Sequence, residues 1–212
     1  VQGKFGVVLG VLGIVLALVA FVGPWWTVNT EASVLGFSAK GSAEFRLFGG
    51  TTTIQSSFLN QTNTTDYRNE PQTGSVFFIG AMFTALALLL GVGMVSLAAL
   101  SGPRPSFRRL GALLGILAFL LALVAPLYVM AQLPNAVNQD SGAGTGLTTI
   151  SGFWGSQSST FFGASASFSW AAGWAWFVVL IAAVLFLVGS LGLFRSPAPA
   201  AQPPSQPSPP PQ

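Results

Sequence analysis

Four runs of this chain are apolar and carry no Asp, Glu, Lys or Arg: Phe5–Trp26, Val76–Leu100, Leu110–Met130 and Ala171–Phe194. At about 1.5 Å of rise per residue, a helix of any of these lengths covers a hydrocarbon core of roughly 30 Å. Lipid offers no partners to backbone N–H and C=O groups, so runs of this kind must be helices. The rest of the composition agrees. Only 6% of the residues are charged, against 51% hydrophobic, and the mean hydropathy is +0.67. A soluble domain carries about 25% charged residues. The chain therefore cannot cover a surface that faces water on all sides, and a soluble enzyme is excluded.

The first run has a basic start at Lys4, as a secretory leader would. It ends in Gly23-Pro24-Trp25-Trp26 without a small-x-small cleavage site, so it is expected to be retained.

Charge sets the expected topology. With four spans, one side holds Lys4, Arg104, Arg108, Arg109 and Arg195 and no acidic residue. The other holds Lys40, Arg46 and Arg68 against Glu31, Glu44, Asp66, Glu70 and Asp140, a net of −2. The positive-inside rule then places both termini in the cytoplasm of a multi-pass cell-membrane protein. The basic residues are scattered and topogenic, so they do not point to nucleic acid. All six tryptophans fall on the outer half: Trp25 and Trp26 at the end of the first span, Trp154 in a loop, and Trp170, Trp174 and Trp176 opening the fourth. They are expected to anchor at headgroup level, with ring inward and N–H toward water. The sharper alternative is an aromatic patch that binds a partner.

An internal repeat emerges at an offset of 105 residues, which lays Gly6 on Gly111, Gly10 on Gly115 and Leu16–Ala20 on Leu121–Ala125. The unit is helix, outer loop, helix, used twice in the same orientation. Gly6/Gly10 and Gly111/Gly115 both form Gly-x-x-x-Gly, a spacing that lets helices approach closely. Packing inside the bundle is the expected use, and contact between copies the alternative. Pro126 is expected to end or kink the third helix.

The outer loops, 27–75 and 133–169, exceed simple connectors and read in part as strands. Phe37–Phe45 suggests two short arms around Lys40-Gly41, and Phe45–Phe48 with Thr51–Gln55 suggests a hairpin turning at Gly49-Gly50. Leu147–Trp154 and Thr160–Phe168 look similar. The predicted fold is thus a membrane, mainly α protein. It is a four-transmembrane-helix bundle with a small antiparallel β-sheet formed by the two outer loops and packed on the Trp-rich helix ends. Asn60-Gln-Thr62 and Asn63-Thr-Thr65 are acceptor sequons in a polar stretch, and Asn135–Gly146 is a second polar stretch expected to be mobile. The tail, 196–212, holds eight of the fourteen prolines and is expected to be disordered in the cytoplasm.

Catalytic chemistry is hard to build here. There is no Cys and no His, which removes thiol catalysis and His-based triads. The outer carboxylates are sparse and unpaired in spacing. The hydroxyls at depth, Thr84, Ser96 and Ser190, are best explained by bonds to their own helices. No cofactor or metal site is expected, and no enzyme activity.

Four spans, inside termini, a long strand-rich first outer loop and a shorter second one resemble the claudin-like tetraspan group. That resemblance is one of architecture over residues 1–195. It implies an outer sheet above a four-helix bundle. The group's first-loop motif, a Trp then Gly-Leu-Trp with two Cys, is absent, and the Gly-Phe-Trp of this chain, 152–154, lies in the second loop. No functional residue is carried over. The expected function is a non-catalytic structural, adhesion or complex-accessory role through outer loops and helix faces. The partners would be the lipid bilayer and other membrane proteins or further copies. The alternative is an oligomeric channel or small-solute permease.

Overall fold

The structure, a computed structural model, describes residues 2–34, 37–56, 60–101, 105–141 and 149–195. The predicted tail and the Gly-rich part of the second polar stretch lie outside the described residues.

Four helices are long and apolar enough to cross a membrane, as the sequence predicts for a multi-pass protein. They are α1 (Gln2–Val22), α2 (Pro71–Leu100), α3 (Pro105–Ser141) and α4 (Trp174–Arg195). α1 packs between α2 and α4, and α3 packs between the same two neighbours on the opposite side. The interior is small-residue packing: Ala17, Ala20, Ala87, Ala118, Ala122, Ala125, Ala182 and Ala183 are all buried. Alanine lets helix axes draw close where lipid supplies no hydrophobic drive. Thr84 and Ser190 turn their hydroxyls to the carbonyls of Gly80 (2.8 Å) and Phe186 (2.6 Å), so both are satisfied within their own helices.

Two helices outrun their predicted bounds. α2 has 30 residues and α3 has 37, or about 45 and 55 Å of helix, well beyond a hydrocarbon core. α3 does not stop at Pro126 but runs through both Pro126 and Pro134. Its added turns absorb the start of the predicted second loop. The two long helices are tied together at this end. The Asp140 carboxylate of α3 accepts from the backbone N–H of Gln72 (3.2 Å) and Thr73 (2.7 Å), capping the first turn of α2.

The other two helices end short and pass into strands. α1 stops at Val22 rather than Trp26 and leads through Gly23, Pro24 and Trp25 into β1 (Trp26–Val34). β6 (Ala164–Ala172) reaches α4 through Gly173 alone. β1 pairs with β6, so an antiparallel helix pair is continued by an antiparallel strand pair. The joint is bonded throughout: Gly173 N–H to Trp25 O (2.9 Å), Ala175 N–H to Pro24 O (3.1 Å) and Trp25 N–H to Phe45 O (2.7 Å). A Cβ at Gly173 would overlap the Pro24 carbonyl, which is why glycine stands there.

The remaining strands are β2 (Phe37–Arg46), β3 (Gly49–Ser56), β4 (Asn60–Thr65) and β5 (Gly155–Phe161). All six form one antiparallel sheet in the order β4-β3-β2-β1-β6-β5, four strands from the first loop and two from the second. Three local expectations are corrected. β2 is one continuous strand and does not turn at Lys40-Gly41. The β2–β3 turn is Leu47-Phe48, because Arg46 pairs with Gly49, so Gly49 and Gly50 belong to β3. Phe153 and Trp154 lie in irregular chain before β5, and the hairpin of this loop turns at Phe162-Gly163.

Register divides the sheet into two chemically distinct faces, since directly opposed residues point the same way. One face carries Trp26, Val28, Thr30, Ala32 and Val34 of β1. Beside them lie Phe45, Ala43, Ala39 and Phe37 of β2 and Trp170, Phe168, Ala166 and Ala164 of β6. The other carries Thr27, Asn29, Glu31 and Ser33 beside Glu44, Ser42, Lys40 and Ser38. Nearest the bundle the apolar face is covered, and Trp26, Phe45, Val28, Trp170 and Phe168 share one core with Phe77, Leu133, Ala136 and Phe153. Farther along the strands it is not.

Candidate interaction surface

Four of the six tryptophans are structural braces between sheet and bundle. Trp25 donates its indole N–H to Ala20 O (2.8 Å), Trp26 to Phe153 O (3.0 Å), Trp170 to Gly152 O (2.8 Å) and Trp176 to Pro126 O (2.9 Å). All four are buried. The expectation of N–H groups turned to water is thus corrected for these four. Each indole donor that burial takes from water thereby has a carbonyl partner inside the joint. Trp26 lies in β1 and Trp170 in β6, not in helices. Trp154 and Trp174 are half-exposed, and Trp154 meets the Trp176 ring edge-on at 5.7 Å.

Residues the sequence did not single out complete the joint. Leu47 sits at a hairpin turn yet is buried, close to where a Cβ on Gly80 of α2 would stand beside Val129 of α3. Turn residues are usually polar, so the apolar Leu47 is a local signal of this plug, though the exposed Phe162 shows that an apolar turn residue is not always buried. Phe48, next to it, meets Phe21 of α1 at 5.3 Å. Tyr67 stacks on Phe77 (5.5 Å), and its hydroxyl donates to the carbonyls of Arg46 and Gly49 (3.1 Å to the latter), pinning the same turn. Burial, then the nearby Glu70 charge, drives the Tyr67 pKa far upward, so this hydroxyl remains a donor. Glu70 is itself raised, first by burial and then by the Asp140 charge.

The glycines of the repeat face inward and three of the four converge. Cβ atoms built on Gly10 of α1 and on Gly111 and Gly115 of α3 would all press on Met94 of α2. Gly189 of α4 borders the same residue. Met94 is fully buried, and Ser190 Oγ lies 3.8 Å from its sulfur. Gly6 instead abuts Gly189 and Leu193 of α4. One flexible thioether thus fills the space that glycines of three other helices leave open.

What the protein presents outward is the sheet. In its far rows the apolar face exposes Val34 (50%), Phe37 (61%) and Ile54 (43%), and the turn residue Phe162 is 91% exposed. The polar face carries the exposed Lys40–Glu31 pair at 2.8 Å, which raises the Lys40 pKa through its hydrogen bond and charge. Around that pair, Asn29, Ser42, Thr53 and Gln55 line a shallow depression of about 240 Å³. Asn60 and Asn63 are exposed on β4, an edge strand. Among the described residues there is no cluster of three His, Cys, Asp or Glu that could hold a metal, and every buried side-chain polar atom has a partner. No protein-family model matches the chain, and no curated protein matches it.

Proposed function

We propose that this is a non-catalytic membrane protein whose sheet is an interaction platform, and that its partners are other membrane proteins or further copies of itself. The observation that carries the reading is the two-faced sheet: its apolar face is covered beside the bundle and open in its outer rows. A contiguous exposed apolar surface on an otherwise well-packed protein is the mark of a binding face. The braced joint supports the same reading, because a rigid mount lowers the entropic cost of docking. The analogy with claudin-like tetraspans, which is one of architecture alone, agrees with a role for the sheet outside the bilayer. The alanine-packed interior favours this reading over a pore through a single bundle. The charge distribution supports a cell-membrane location with both termini in the cytoplasm and the sheet outside, where Asn60 and Asn63 would be open to glycosylation.

Extraction in mild detergent followed by native mass measurement tests the reading, with Val34→Ser/Ile54→Ser as the variant. The wild type is expected to carry stoichiometric partners or copies, and the variant to lose them with an unchanged melting temperature. A wild type that runs as a lone monomer, or a variant that keeps its full complex, would sink the proposal. Protease added outside sealed cells should spare the tail, and its cleavage there would overturn the topology.

A further inference from the structure

The far end of the sheet is built against two rules at once. Phe161 pairs with Ala164, so Phe162-Gly163 is a two-residue hairpin turn, and both residues have positive φ, 44° and 79°. Turns of this shape favour Asn-Gly or Asp-Gly. A Phe there holds a backbone conformation that its Cβ disfavours, and the residue is 91% exposed. A large apolar residue held open to water at a turn position that disfavours it is available for contact with a partner.

Its surroundings specify what the use can be. Behind Phe162, the last rows of β1, β2 and β6 present Ala32, Val34, Phe37, Ala39, Ala164 and Ala166 on the apolar face. Between them lie only serines, at 33, 38 and 165. No described residue beyond the Glu31–Lys40 pair toward this tip is ionisable, and that pair neutralises itself. Desolvating the tip therefore costs a few hydroxyls and no charges. The shape is convex, a ring projecting from a turn, so the tip enters something rather than receiving it. A bilayer accepts an uncharged aromatic tip without a matched cavity, and aromatic rings favour its interfacial zone. The turn lies at the opposite end of β1 and β6 from α1 and α4. Eight steps along a nine-residue strand are about 27 Å.

We propose that this tip inserts into a lipid bilayer other than the one crossed by α1–α4. The inference rests on the platform reading for a sheet held outside the bilayer, and it adds a lipid contact at the tip to the protein partners proposed above. One tip would bind weakly, and many copies in one membrane would bind together strongly.

The absence of cysteine allows single labels. The protein is reconstituted in nanodiscs and mixed with vesicles of brominated phosphatidylcholine. An environment-sensitive dye at Ser165→Cys, beside the tip, should shift to the blue and lose emission. The same dye at Ser156→Cys, near the bundle end of β5, should not change. Phe162→Asn suits the turn, so it should melt no lower than wild type while vesicle co-flotation falls about tenfold or more. Flotation unchanged in Phe162→Asn, or no quenching at Ser165→Cys, overturns the inference. A dye shift that follows protein concentration without vesicles would assign the tip to a second copy and overturn it as well. If vesicle binding is absent but the native complex still depends on Val34 and Ile54, the platform reading stands and only the lipid partner falls.

Discussion

Gly115→Ala adds one methyl group where α3 meets Met94 and Ser190. In an open helix that change gains about 0.8–1 kcal/mol of propensity. Here the new Cβ would overlap both Ser190 Oγ and Met94 Sδ. Met94 can adjust, since its thioether turns about three bonds. Ser190 cannot swing away without giving up its 2.6 Å bond to Phe186 O, which is worth about 0.5–1.5 kcal/mol. Overpacking a filled core costs about 1–3 kcal/mol, so the single variant should lie between neutral and about 2 kcal/mol destabilised. That range alone decides little, and the second substitution decides it. Ser190→Ala removes the obstructing oxygen and should be mild by itself. The double variant should then be more stable than the two singles predict, with a coupling of about 1 kcal/mol. The assay is unfolding of the purified protein in detergent, by heat or by SDS titration, for all four species. Gly93→Ala serves as control, because its Cβ would meet only the end of Leu114, at 3.0 Å. Additivity within about 0.3 kcal/mol would show that the methyl does not strike Ser190 and would refute the Gly115–Ser190 contact.

Three further outcomes are expected. Leu47→Ala should cost about 2–5 kcal/mol and Phe48→Ala about 1 kcal/mol or less, although both occupy one turn; equal losses in thermal unfolding would refute the plugged turn. Glu70 has a raised pKa, so the folded state takes up its proton first and stability rises as pH falls through that raised value, the gain being complete below the ordinary glutamate value. Glu70→Gln should therefore raise the melting temperature at neutral pH and flatten this dependence, and a lower melting temperature would contradict the sign. Asp140→Ala should cost about 1 kcal/mol by uncapping α2, with faster amide hydrogen exchange at Gln72 and Thr73 as the local readout; unchanged exchange there would reject the cap.

The sequence made the spans plain because lipid imposes one rule on every residue of a run, no charge and no gap. The existence of the sheet was also readable from short β-rich segments between turns. Boundaries were harder, since they depend on tertiary partners. Trp25 and Trp26 extend an apolar run in the sequence, yet Pro24 breaks the helix and pairing with β2 and β6 takes Trp26 into a strand. Pro126 read as a helix end or a kink, and α3 does not end there; Trp176 donates to the Pro126 carbonyl in the crowded joint. Gly49-Gly50 read as a turn on propensity, and the fold placed the turn two residues earlier because burying Leu47 outweighs it. Phe161-Phe162-Gly163 read as strand because a Phe at a left-handed turn position has no signature in the sequence. The repeated glycines were visible, but their shared neighbour, Met94, lies in α2, where the sequence match of the repeat does not reach.

The direct passage of α1 into β1 and of β6 into α4 makes the sheet and two of the four helices a single lever. No slack residue separates them: the connecting backbone is hydrogen-bonded across the joint, and Gly173 has no room even for a methyl group. A load applied at the far turns therefore reaches α1 and α4 together, as torque on a stiff arm. α2 and α3, clamped to each other by Asp140, act as the fulcrum. A pull on the tip of the sheet would therefore be felt inside the four-helix bundle.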